Sequence, residues 1–271
     1  MKRNAFTLIE LLVVTAVIAV LTLIATAAVT KVTKHGEMTR EISAGRNLVG
    51  AYMMYASENN GELMPGYVAT ADDVRDDAGH EVSYPASGRY PWRLAKYLPG
   101  PVRGTLLVNK QEKLVEKRDQ SFYSYLVSFA PSFGMNSIYV GGNYRTSLAP
   151  TSATFTRFGK FCATRLGDVT KPQRLIVFCS AHFNSNGDDD FEGHHIVEPP
   201  NTTVPMWSGV YEEKGSAADH GYVHLRYGGR AVVAMLDGHV ELLDFEQLKD
   251  MRRWSIQAAE FDAPGFAISR H

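Results

Sequence analysis

One acidic side chain stands at the edge of an otherwise apolar segment near the start of the chain. Glu10 directly precedes residues 11–30, which carry no charged side chain. A carboxylate inside a membrane segment costs roughly 2.5–3.5 kcal/mol at the bilayer centre and less near the ends, so such residues usually have a partner. Glu10 therefore either lies at the level of the lipid headgroups or pairs with a positive group.

A cut after Ala5 would supply that positive group. Phe6 would carry the new amine, and Glu10 would follow it by about one helical turn. In an assembly, the carboxylate of Glu10 could instead pair with the amine of a neighbouring helix. Such a pair would set the register of the helices, because a wrong offset leaves a charge unpaired. We therefore predict processing at Ala5 and Phe6, and a role in assembly for Glu10.

Residues 184–193 form a second group with possible chemistry, because they are dense in oxygen-bearing side chains and contain two glycines. Ca²⁺ prefers roughly six to eight oxygen ligands from flexible loops of this kind. The spacing is not that of an EF-hand, and most acidic loops are simply solvated. Calcium ligation by Asp188, Asp190 and Glu192 and a solvated loop without metal both stay open, and no other cofactor is expected.

The chain has two cysteines, Cys162 and Cys179. In an oxidising compartment an even pair can form a disulfide. Their apolar neighbours suit two buried thiols in adjacent strands equally well, so both alternatives stand.

Enzymatic signatures are missing from the sequence. It contains no HExxH, no GxSxG and no phosphate-binding loop. His220 and His224 are four residues apart, but the glycine and β-forming residues between them disfavour a shared helix face. His194, His195 and His239 are predicted to be surface or turn residues rather than metal ligands. We therefore expect no enzyme, and the net charge of −1 argues against a nucleic-acid-binding face.

The apolar segment is long enough to cross a bilayer, since a helix over residues 11–30 spans about 30 Å. The apolar region of a cleaved secretory signal is shorter, roughly 7–15 residues, so a retained membrane helix is favoured. Lys2 and Arg3 precede it and predict a cytoplasmic N-terminus with the rest of the chain exported.

A helical pattern continues beyond the membrane segment. Gly61 and Pro65 end it, which predicts one helix from Phe6 to about Asn59. Its second half should pack an apolar stripe on a globular domain. The stripe consists of Ile42, Leu48, Val49, Tyr52, Tyr55 and Ala56.

The remaining residues predict a β-rich globular domain and hence an α+β fold. Residues 106–108 and 175–178 are short β-prone runs. Asp237-Gly238 separates two apolar runs and predicts a two-residue hairpin turn, in which both positions need positive φ. Asp244 and Gln247 should cap a short helix. The predicted divisions are a leader (1–5), a transmembrane assembly helix (6–30), its exported continuation (31–60) and the antiparallel β-rich domain (61–271).

Residues 5–14, AFTLIELLVV, resemble the leader junction of type IV pilins and type II secretion pseudopilins. The resemblance implies that prepilin peptidase cuts before Phe6 and methylates its new amine, and that Glu10 serves filament assembly. It also implies a pilin-like architecture, and calcium in a loop of the domain would fit it. One departure is Ala5, where the family usually has Gly.

Residues 226–240 resemble the C-terminal signature of a large pilin-like family named for a His, nine intervening residues and Asp-Gly. Here the position separated from Asp237-Gly238 by nine intervening residues holds Tyr227 instead of His. His224 lies three residues earlier and does not restore the spacing.

These resemblances imply a structural subunit of a pilus-like or pseudopilus filament in the inner membrane, with its domain in the periplasm or, after assembly, in an extracellular filament. The implied partners are prepilin peptidase, other pilin-like subunits, the inner-membrane assembly platform and membrane lipid. The alternative is a membrane-tethered periplasmic enzyme or ligand-binding protein that uses the same leader.

Overall fold

The computed structural model describes residues 8–184 and 190–270 of the chain. The α-helices are α1 (Leu8–Glu58), α2 (Tyr90–Ala95), α3 (Lys110–Glu116), α4 (Tyr123–Phe129), α5 (Ser152–Phe158), α6 (Phe245–Leu248) and α7 (Ile256–Glu260). The strands are β1 (Phe133–Met135), β2 (Ile176–Ser180), β3 (Phe183–Asn184), β4 (Asp190–Phe191), β5 (Arg230–Met235) and β6 (Val240–Asp244). Short 3₁₀ helices lie at Gln120–Phe122, Leu166–Asp168, Pro172–Arg174, Ala217–His220 and Met251–Arg253. The chain divides into two compact units, Met1–Thr39 and Arg40–His271.

The first unit contains the apolar part of α1, which is long and apolar enough to cross a membrane. Its large apolar side chains are exposed within the unit, Leu8 by 80% and Leu23 by 71%. The hydroxyls of Thr22 and Thr26 donate to carbonyls one turn back in the same helix, at 2.7 and 2.8 Å. These threonines therefore need no polar partner outside the helix, which suits a hydrocarbon environment.

The second unit is built on an antiparallel sheet with the strand order β1-β2-β5-β6. Register pairs include Gly134 with Cys179, Cys179 with Val233, and Ala231 with Leu243. Every residue of β2 is buried, as expected of a central strand covered on both faces.

Residues 40–58 of α1 cover one face of this sheet. Tyr52 is fully buried, its ring meets Phe178 of β2 edge-on at 5.6 Å, and its hydroxyl donates to the carbonyl of Met64 at 2.9 Å. A Cβ at Gly45 would already lie 3.3 Å from the ring of Phe133 in β1, so the helix backbone is close to the sheet. Burial of each large apolar side chain contributes about 1.5–3 kcal/mol, which makes this stripe a main source of stability.

The opposite face of the sheet packs on the C-terminal segment. Val233 and Leu243 point into a core that includes the fully buried Trp254, whose indole N–H donates to the carbonyl of Leu248 at 2.7 Å. Asp244 and Gln247 form the predicted capping box at the start of α6. The predicted α+β arrangement, a long N-terminal helix and an antiparallel sheet domain, is confirmed.

Two local predictions are wrong. Residues 106–108 are buried but form no strand, because the amides of Leu106 and Leu107 turn back to the carbonyl of Val102. The hairpin turn is not the two-residue type, since only Gly238 of the Asp-Gly pair has a positive φ, 95°. The amide of Gly238 donates to the carbonyl of Met235, and the amide of Met235 donates to the carbonyl of His239. These two bonds enclose a three-residue loop, residues 236–238, whose last residue is a glycine with positive φ.

Candidate functional site

The N-terminal assembly segment is described from Leu8 onward. Ala5 and Phe6, where processing is predicted, lie outside the described residues. Glu10 lies in the first described turn of α1 and is exposed. Its exposed apolar neighbours Ile9, Leu11 and Leu12 present a surface that water does not favour. Glu10 thus places a carboxylate near the N-terminal end of a long apolar helix. The pairing of Glu10 with Phe6 stays a prediction.

A second carboxylate, Glu41, lies further along α1 and is fully buried. The hydroxyls of Ser180 and Tyr227 donate to its two oxygens, each at 2.5 Å. Nη1 of Arg226 lies 3.6 Å from Oε2 of Glu41. Two short hydrogen bonds to an anion and a nearby guanidinium compensate the loss of hydration that burial imposes on the carboxylate.

The partners of Glu41 come from two places in the domain. Ser180 ends β2, and Arg226 and Tyr227 lie in the turn that leads into β5. That turn is closed by the bond from the amide of Tyr227 to the carbonyl of Arg230, across two glycines with positive φ. The cluster therefore ties α1 to both central strands of the sheet.

Tyr227 is the residue that stands at the position of the expected His in the C-terminal resemblance. Burial raises the pKa of its phenol well above the usual range, and the adjacent Glu41 raises it further. The hydroxyl therefore remains a neutral donor to Glu41, and Asn109 donates to it in turn at 3.2 Å. In this chain, the side chain at that position fastens the long helix to the sheet.

Sequence reasoning missed Glu41, although a signal was present. Glu41 precedes Leu48 by seven residues and Tyr52 by eleven, so it lies on the buried face of α1. An acid in phase with an apolar stripe indicates a buried partner, but its partners could not be identified from local pattern.

Four histidines form two largely buried ring pairs near β3 and β4. The ring of His194 stacks on Phe183 at 5.4 Å and lies 4.6 Å from the ring of His195, while the rings of His182 and His224 are 4.5 Å apart. The prediction that His194 and His195 are surface residues is wrong, since they are only 6% and 7% exposed. In place of water, aromatic rings surround the two imidazoles, and Nδ1 of His194 and Nδ1 of His195 are hydrogen-bonded to the carbonyls of Ile196 and Phe129, respectively.

The other histidine predictions concern His220 and His239. His220 ends a 3₁₀ helix that stops before Gly221, so it shares no helix with His224, as predicted. His239 directly follows the turn and is exposed, and Nδ1 of its ring lies 2.6 Å from Oδ1 of Asp237. Among residues 8–184 and 190–270, no group of three or more His, Cys, Asp or Glu is arranged to hold a metal ion.

We expect the buried histidines to make the protein sensitive to mild acid. Burial lowers the pKa of His194 to about 4 and that of His224 to about 2, and it lowers the pKa of His195 well below its usual range. Because unfolded histidines take up protons near pH 6.5, the unfolded state binds more protons as the pH falls below that value. The free energy of unfolding should be greatest above pH 6.5. Between pH 6.5 and 5.5, each of these three histidines should lower it by about 1 kcal/mol.

Urea unfolding of the full chain in detergent, followed by tryptophan fluorescence across pH 7.5 to 5, measures this loss. His194→Phe should reduce the slope, because one linked proton is removed while the ring stacking is kept. His80→Ala is the control, since the side chain of His80 is 80% exposed. A free energy of unfolding that stays flat down to pH 5 would contradict the prediction.

The predicted calcium loop is described only in part. Asp188 and the side chain of Asp190 lie outside the described residues. Glu192 accepts a hydrogen bond from Nζ of Lys110 at 2.9 Å, and its other oxygen lies 4.0 Å from Nη1 of Arg226. A calcium ion would compete with both cations for Glu192. Calcium binding stays a prediction.

Cys162 and Cys179 are both free and fully buried in the structure. Cys179 lies in β2, as expected of a buried thiol, whereas Cys162 lies in a bend outside the strands. Burial raises the pKa of both thiols well above the usual range, so neither is a ready nucleophile.

Comparisons with known proteins find one similarity, at the N-terminal end of the chain, where the apolar part of α1 lies. A comparison with curated proteins and one with solved structures find no match. Residues 1–26 match the family model of the prokaryotic N-terminal methylation motif. This prepilin-type motif overlaps a helix that is long and apolar enough to cross a membrane, and the two together support a pilin-like chain with a membrane anchor.

Proposed function

We propose that the protein is a structural subunit of a type IV pilus-like or type II secretion pseudopilus filament. The observation that carries the proposal is the match of residues 1–26 to the N-terminal methylation motif, on a helix whose apolar side chains are exposed. An exposed apolar rod of this length needs either lipid or other helices around it. Before assembly, the lipid of the membrane surrounds the helix. After assembly, the helices of other subunits in the filament core surround it.

The proposed topology follows from the N-terminal charges. Lys2 and Arg3 keep the leader in the cytoplasm, α1 crosses the inner membrane, and the sheet domain faces the periplasm. The proposed partners are prepilin peptidase, other pilin-like subunits, the inner-membrane assembly platform and membrane lipid. The work of the subunit is mechanical, and the motif supports this role over that of an enzyme.

The mature chain is expected to begin at N-methylated Phe6, because the peptidase that reads this motif cuts after Ala5. Mass spectrometry of the protein purified from native membranes measures the terminus directly. The control is the same protein from cells whose prepilin peptidase is inactive, which should retain Met1. Recovery of only the intact Met1 terminus in the presence of active peptidase would contradict the proposal.

The alternative, a tethered ligand-binding protein or enzyme, differs in its assembly. A filament subunit should crosslink to other pilin-like chains through α1, whereas a tethered monomer should not. Crosslinking from a cysteine placed at Leu11 or Leu12 in membranes separates the two roles, and an absence of crosslinked products with an active assembly system would favour the tethered monomer.

A further inference from the structure

Arg93, in α2, is a guanidinium held by neutral partners. Its Nη2 donates to the carbonyls of Pro65 and Gly88 at 2.6 and 3.2 Å, and its Nε donates to that of Arg89 at 3.3 Å. Within the described part of the chain, no carboxylate forms an ion pair with Arg93, and Nη1 has no acceptor. Burial lowers the pKa of this guanidinium to about 10. Arg93 is partly buried, and removing a cation from water without an anion beside it costs free energy.

Two cavities of about 550 Å³ each meet at this side chain. Tyr55, Ala71 and Arg93 line both of them. Each volume lies within the range of about 300–1,000 Å³ that small-molecule sites occupy.

The two cavities differ in charge. The first, which we call the acidic cavity, is lined by Asp72, Asp73, Asp76 and Asp77, which outnumber the cations Arg75 and Lys96 that also line it and so disfavour an anion. The second, which we call the aromatic cavity, has walls of mixed polarity, in which the apolar Pro65, Pro150 and Phe155 lie beside polar side chains such as Thr70 and Thr164. Arg165 also lines the aromatic cavity, but its Nη1 lies 3.6 Å from Glu62, which balances its charge. Arg93 is therefore the unbalanced charge of the aromatic cavity.

We propose that the aromatic cavity binds a small organic monocarboxylate, with the carboxylate on Nη1 of Arg93 beside the hydroxyl of Tyr55. The apolar body of the ligand packs against Pro150 and Phe155. One free guanidinium nitrogen matches a single negative charge, whereas Glu62 and the neighbouring acidic cavity disfavour a dianion such as phosphate. This ligand site is separate from the proposed filament role and does not depend on α1 assembly.

Isothermal titration of the full chain in detergent tests the site with three probes: benzoate, benzyl alcohol and inorganic phosphate. Benzoate should bind and raise the melting temperature. Benzyl alcohol has the same ring without the charge and should bind about tenfold to a hundredfold more weakly, the range expected for a charge-assisted hydrogen bond. Equal binding of the alcohol, tighter binding of phosphate or no binding of benzoate would each overturn the proposal.

Variants locate the site. Arg93→Gln should weaken benzoate binding by about tenfold or more. Tyr55→Phe keeps the ring contact with Tyr97 at 5.7 Å and removes only the hydroxyl, so it should fold and weaken binding several-fold, even if Arg93→Gln does not fold. Lys96→Gln is the matched control, because Lys96 lines only the acidic cavity and its loss should leave the affinity within about twofold. A loss with Lys96→Gln equal to that with Arg93→Gln would show a general charge effect and overturn the proposed site.

Discussion

Glu10→Leu is expected to leave membrane insertion intact and to remove the subunit from filaments. Insertion should survive because the substitution only makes the segment more apolar. Assembly should fail because the amine proposed at Phe6 would be left without its partner among apolar helices, and breaking such a pair costs about 3–5 kcal/mol. Incorporation should therefore fall at least about a hundredfold. The measurement is the ratio of subunit in sheared filaments to subunit in the membrane fraction.

The matched control for Glu10 is Thr22→Val on the same helix. The hydroxyl of Thr22 is already bonded to the carbonyl of Ile18 in its own helix, so its removal should leave assembly unchanged. Normal incorporation of the Leu variant would rule out the charge pair as a requirement for assembly. If both the Glu10→Leu and the Thr22→Val variants failed to enter filaments, the cause would be a general effect of substitutions in this segment.

Glu41→Ala is expected to destabilise the domain by about 3–5 kcal/mol, because it leaves Arg226 with only the more distant Glu192 as an anion and the Tyr227 hydroxyl without its acceptor. This is a large share of the roughly 5–15 kcal/mol by which proteins are stable. Urea unfolding of the full chain in detergent at pH 7.5 measures the loss. A change below about 1 kcal/mol would show that the cluster contributes little net stability.

Two further variants apportion the effect of Glu41. Glu58→Ala removes an exposed acid from the same helix and should change the free energy of unfolding by less than about 0.5 kcal/mol. Tyr227→Phe removes one hydrogen bond to a charged group and should cost about 1.5–3 kcal/mol. In the double variant the two losses should not add, because both remove the same bond. Full additivity would show that Glu41 and Tyr227 act independently.

The features that the sequence predicted correctly depend on neighbours in the chain. The C-terminal end of α1 follows from the glycine and proline that end the helical pattern, and the described helix stops at Glu58, one residue from the predicted end. The cap at Asp244 involves groups three residues apart. The hairpin was located correctly, but its turn type was not, because Asp-Gly is compatible with more than one loop geometry.

The features that the sequence did not predict depend on residues far apart in the chain. The burial of His194 and His195 arises from Phe129 and Phe183, which lie on other elements. Arg93 faces two cavities whose walls come from segments between residues 55 and 165. No local pattern distinguishes a solvated arginine from one that also donates to the carbonyl of Pro65, 28 residues away.

By itself, the sequence determined the N-terminal motif, the apolar rod and the place of Glu10 on it, because cleavage signals, hydropathy and helical period are local properties. Only the tertiary structure decided the role of α1 beyond its apolar segment. Glu41 meets Ser180 and Tyr227 across 139 and 186 residues of chain, respectively. A carboxylate is an ordinary surface residue until the fold removes its water, and which groups then replace that water depends on how strands and turns from distant segments pack against the helix.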